Sequence, residues 1–145
     1  MLKVTPFLMA AVAATFVAVP TVSHAAQLDP MQCSVSVQHR INNTVVLNYV
    51  KDFVVGVDSP FNDNFSSATR FRFFDAFLTS ENGTPIVRIA FDSDVSVFNA
   101  VTFGASLKVH DETHGETASG DQGFFGGAGV GSNRTNWTLT CQRAF

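Results

Sequence analysis

From Cys33 onward, apolar and polar residues alternate. Cys33, Val35, Val37, His39 and Ile41 fall on one side and Ser34, Ser36, Gln38 and Arg40 on the other, the period-two pattern of a half-buried strand. Asn42-Asn43 tolerates positive φ and predicts a tight turn into a second strand. There Val45, Leu47, Tyr49, Phe53 and Val55 share a face, and Lys51-Asp52 interrupts it as a bulge or a sheet edge would. Val57 to Ser67 reads as a long polar loop carrying Phe61 and Phe65.

A third strand is predicted over Ala68 to Leu78, with Phe71, Phe73 and Phe77 alternating against Arg70 and Arg72, before Ser80-Glu81-Asn82-Gly83 turns the chain. Pro85 to Phe91 and Val95 to Phe103 read as two more strands hinged at Asp92-Ser93-Asp94, with Ala105 to Val109 extending the second. His110 to Ser132 changes character: charged residues and two histidines run up to Asp121, followed by Gly123, Gly126, Gly127, Gly129 and Gly131. A loop this long is expected to carry function or to move. The last strand, Thr135 to Phe145, sets Trp137, Leu139, Cys141, Arg143 and Phe145 on one face. No segment after the leader sustains helical spacing for three turns. The expected fold is therefore all-β: a single antiparallel β-sandwich or small barrel of 6-8 strands. Sandwich and barrel both bury one face per strand, so the pattern does not separate them.

The first 25 residues have a different logic. Lys3 gives a positive start, Phe7 to Val19 is apolar, Pro20 breaks a helix, and Ser23 and Ala25 are small residues in cleavage spacing. The apolar run is shorter than the roughly 17 to 25 residues needed to span a bilayer, so 1-25 reads as a cleavable signal peptide and 26-145 as one β domain. No stable membrane insertion is expected after cleavage. The expected location is secreted and extracellular, with a bacterial periplasm as the alternative.

Export gives the two cysteines their meaning. Cys33 and Cys141 lie on the apolar faces of the first and last strands, in a chain bound for an oxidising compartment, and only one intramolecular pairing exists. A disulfide joining the N- and C-terminal strands is predicted. Five of nine asparagines, Asn42, Asn64, Asn82, Asn133 and Asn136, begin Asn-x-Ser/Thr sequons, which tilts the reading towards a glycosylated eukaryotic protein.

Net charge of -3 with Lys and Arg unclustered argues against a nucleic-acid partner. Fifteen Phe against one Trp and one Tyr indicate a core of rings without polar atoms. Catalytic motifs are lacking: there is no Gly-x-Ser-x-Gly, neither cysteine is spare, and the acids fall in turns and loops, so an enzyme is not the favoured reading. No cofactor is expected.

Two sets of residues are candidates for a site. His110, Asp111, His114 and Glu116 pack potential metal ligands into seven positions, although the order differs from that of zinc proteases and Gly115 disfavours a helix. Phe61, Phe65, Phe124 and Phe125 are aromatic residues in the two longest predicted loops, where a β protein places recognition. The favoured function is thus binding, of a protein or glycan at a surface, in an effector-like role. The alternative is a small secreted hydrolase or metal-binding protein using His110, His114 and nearby acids.

Overall fold

The computed structural model describes residues 28–96, 99–125 and 132–145, with the backbone alone for 122–125. The predicted signal peptide lies outside the described residues. Eight strands follow in chain order: β1 (Met31–Ile41), β2 (Thr44–Val55), β3 (Phe61–Asn64), β4 (Arg72–Glu81), β5 (Thr84–Asp94), β6 (Ala100–Lys108), β7 (Glu116–Phe125) and β8 (Ser132–Arg143). They form two antiparallel four-stranded sheets, ordered β2-β1-β8-β7 and β3-β4-β5-β6. Every strand neighbours its successor in sequence, and β8 returns to β1. The architecture is thus a sandwich whose strand order is that of an up-and-down barrel split along two seams, β2/β3 and β6/β7.

Strand β1 is central to the first sheet. Its inward residues Met31, Cys33, Val35, Val37 and His39 are buried as the alternation predicted, and Asn42 and Asn43, with φ of 49° and 65°, make the turn into β2. Cys33 and Cys141 are register partners on β1 and β8, both buried, and form the predicted disulfide.

Side chains, not backbone ladders, close the seams. Across the first, Tyr49 of β2 stacks on Phe65, the residue after β3, at 4.5 Å, and Phe53 of β2 stacks on Phe61 of β3 at 5.0 Å between ring centroids. Between these rungs the Asp63 carboxylate accepts the Tyr49 hydroxyl proton at 2.9 Å and pairs with Lys51 Nζ at 3.1 Å. Burial first, and then the Asp63 carboxylate, push the Tyr49 phenol well above its ordinary range, so it stays a donor. Across the second seam, Trp137 of β8 stacks on Phe103 of β6 at 5.8 Å and lies over its register partner Gly120 on β7. A methyl group at Gly120 would fall inside the indole, which is why β7 carries glycine there.

Between the sheets, Phe53, Tyr49, Phe74, Phe91 and Phe103 form a chain of rings with centroids 5.3 to 5.5 Å apart. Apart from the Tyr49 hydroxyl, this is the aromatic core without polar atoms that the composition called for. Both sheets turn polar one rung beyond it, towards the β1–β2 turn: His39 and Thr135 are paired on β1 and β8, Arg72 and Ser93 on β4 and β5.

Several strand assignments are corrected. Lys51-Asp52 is not a bulge but lies inside continuous β2, which is an edge strand of its sheet. The irregularity sits instead where the register shifts between His39 and Arg40, leaving Val45 exposed. Within the predicted 57–67 loop, Phe61–Asn64 is the edge strand β3. On β4 the buried face is Phe74, Ala76 and Leu78, so Phe71, Phe73 and Phe77 belong to the other side. β5 runs through Asp94, and the turn follows it. The predicted 110–132 loop contains all ten residues of β7.

Candidate functional site

The outward faces of β4, β5 and β6 bring together residues that the sequence reading had scattered. Strand register sets three transverse rows: Phe77, Arg88 and Ser106; then Asp75, Ala90 and Gly104; then Phe73, Asp92 and Thr102. The middle row has the two smallest side chains, flanked on β4 by rings above and below. A trough therefore crosses the sheet, floored by Ala90 and Gly104, and a depression of ≈ 330 Å³ opens at Arg88, Gly104 and Ser106. A Cβ built on Gly104 would meet only the Ile89 carbonyl oxygen, at 3.6 Å. This glycine leaves space without serving a turn.

Polar groups on the trough are already oriented. Asn62 on β3 donates Nδ2–H to Asp75 Oδ1 at 2.7 Å, and Thr102 donates its hydroxyl proton to Asp92 Oδ1 at 3.0 Å. Each carboxylate keeps acceptor capacity. Phe77 is 44% exposed and Phe71, tilted against Phe73 at 4.7 Å between centroids, is 52% exposed. Such rings contribute nothing to the core while presenting apolar faces beside planar polar groups.

The residues chosen from sequence are placed as follows. Phe61 and Phe65 are half-buried rungs of the first seam, packed against the core, and neither is a loop tip. Phe124 and Phe125 end β7, paired with Asn133 and Ser132, and their side chains lie outside the described residues.

His110, Asp111 and His114 sit in one turn with Glu116 at the start of β7, and the side chains of Asp111, His114 and Glu116 are bonded within that segment itself. Glu116 Oε1 accepts the backbone N–H of His110 and of Asp111, both at 3.1 Å. The Asp111 carboxylate takes the Thr113 hydroxyl at 2.7 Å, the backbone N–H of Thr113 and His114, and His114 Nδ1 at 2.8 Å. These bonds, the Thr113 hydroxyl foremost, hold the Asp111 carboxyl far below its usual range. Glu112 pairs with Arg143, and Gly115 supplies the positive φ of 80° that closes the turn. Among the described residues no three His, Cys, Asp or Glu side chains are placed to hold a metal ion.

Sequence reasoning missed Phe73, Phe77, Arg88 and Gly104. One signal was present: β4 has phenylalanine on both faces, more than one buried face can use. No family model, curated protein or solved structure matches the chain.

Proposed function

We propose that this chain is an exported binding protein that holds a glycan along the trough on the outer face of β3–β6. The observation that carries the reading is the pair of outward rings, Phe73 and Phe77, on either side of the Ala90–Gly104 floor. Four residues apart on one strand, their Cα atoms are about 13 Å apart, room for one extended chain. Sugar rings offer apolar C–H faces that pack on aromatic rings and hydroxyl edges that hydrogen-bond in the plane. Asp75, Asp92, Arg88, Ser106 and Thr102 provide acceptors and donors for such edges.

A peptide fits less well. Extended peptides gain affinity by adding to a sheet edge, whereas at the floor of the trough β4 is paired with β3 over Phe73 to Ala76 and β5 lies between β4 and β6. Export is supported by the buried Cys33–Cys141 bond, which points to an oxidising compartment, extracellular or periplasmic, together with the apolar leader. Among the described residues no helix is long and apolar enough to cross a membrane.

The test is a glycan array probed with the mature protein, alongside Gly104→Leu, which fills the trough, and Phe77→Ala, which removes a wall. Wild type should retain a defined subset of glycans, and both variants should lose at least tenfold in affinity with melting temperatures close to wild type. Retention of the same glycans by Gly104→Leu, or no glycan bound by wild type, sinks the reading.

A further inference from the structure

The seams fix which interior residues face one another. With β2 against β3 and β6 against β7, β1 lies across from β4 and β8 across from β5. Tyr49 stacks on Phe65 while Phe53 stacks on Phe61, and Phe65 N–H donates to the Arg72 carbonyl at 3.2 Å. The His39–Thr135 rung of one sheet and the Arg72–Ser93 rung of the other thus occupy the same end of the interior. One inward polar residue comes from each of the four central strands.

This layer is chemically incomplete. His39 is only 5% exposed, and its Nδ1 lies 2.7 Å from Thr135 Oγ1, but its Nε2 is buried and has no partner among the described residues. Arg72 turns its side chain inward, and its Nε is likewise buried and unpartnered. Asn133 Oδ1, one rung further out on β8, is the third such atom. Buried polar atoms are nearly always paired, and a guanidinium without a carboxylate is the costliest kind to leave alone. All three orphans cluster at one end of the interior, away from the trough.

We propose that this end of the sandwich binds a compact oxyanion, the carboxylate or phosphate group of a small ligand, between the sheets. The Arg72 Nε–H donates to it. With Nδ1 accepting the Thr135 hydroxyl proton, His39 Nε2–H is a second donor, and the Ser93 hydroxyl lies beside Arg72 in the same layer. A hydrogen phosphate would also carry the proton that Asn133 Oδ1 accepts.

The experiment is a thermal melt of the mature protein at pH 7, titrated with sodium phosphate or sodium acetate against sodium chloride of equal ionic strength. A specific site gives a rise that grows with the logarithm of anion concentration, reaching about 5 °C once the anion is in tenfold excess over its Kd. The anion that produces the rise identifies the group recognised. Arg72→Gln should abolish the rise, and Arg88→Gln, altered on the outer face, should keep it. If Arg72→Gln does not fold, the wild-type His39 imidazole resonances decide, since they must shift and saturate with a midpoint at the Kd that the melts give. No logarithmic rise beyond the chloride control with either anion, an equal rise in Arg72→Gln, or unmoved His39 resonances overturns the proposal. Glycan binding at the trough involves none of these residues, so the two readings fail separately.

Discussion

His39 shows how much one side chain can couple stability to solution conditions. Burial lowers its pKa below the ordinary 6.5, so under mildly acidic conditions the unfolded chain binds a proton that the folded one refuses. Stability is therefore complete above pH 6.5 and falls as pH drops below it. In phosphate-free buffer, urea melts of wild type should lose stability between pH 7 and pH 5, and His39→Gln should lose less over that interval. Gly120 is the opposite case, a residue defined by what cannot be added. Gly120→Ala pushes a methyl group into the Trp137 indole and should cost about 1 to 3 kcal/mol, read as a lower denaturation midpoint with unchanged slope. The burial of His39 was legible in the alternation of β1, whereas the demand on Gly120 was not. A glycine in a polar stretch reads as a loop, and only its register partner on β8 reveals that a ring fills its place.

At the scale of elements, strands with one apolar and one polar side were read correctly, and those that break this pattern were not. β1 and β8 were found with their turn, their disulfide and the inward residues from Cys33 to His39 and from Trp137 to Cys141, whereas Arg143 and Phe145, expected on the same face, are exposed and Phe145 lies beyond β8. β7 was missed because its inward positions Ala118 and Gly120 are small and its outward ones, Thr117, Ser119 and Asp121, are polar, so no period-two hydrophobic signal exists. The face of β4 was inverted because its outward phenylalanines outweigh Ala76 within. That excess of rings is what makes the trough, so the misreading falls where the candidate site lies. β3 is four residues long and depends on its seam partners. Asp63→Ala should cost about 1 to 3 kcal/mol by stranding the Tyr49 hydroxyl and Lys51, and Phe61→Ala, at a half-buried ring, about 1 to 3 kcal/mol. Hydrogen exchange should show β3 amides losing protection in Asp63→Ala before those of β1.

For the whole molecule, two four-stranded sheets meet through side chains along both seams, and one covalent link ties β1 to β8. All other neighbouring strands are close in sequence, so the β1–β8 pairing bears nearly all the long-range ordering cost. Cys33 and Cys141 are 108 residues apart, a separation for which chain entropy gives a cross-link contribution of about 4 to 5 kcal/mol. Reduction, or Cys33→Ser with Cys141→Ser, should lower the melting temperature by more than 10 °C while leaving the sheet signature of the circular dichroism spectrum intact below the transition.

A chain in which each strand touches the next and the last touches the first has no obligatory beginning. Cutting it at the exposed Asn82-Gly83 turn and tethering the old ends by a short linker would preserve all eight neighbours while reordering them in sequence. The same two sulfurs would then enclose only the linker and the ends of two strands. Such a circular permutant should fold to the same sandwich yet depend on its cystine by about 1 to 2 kcal/mol less, because the loop it closes has become short.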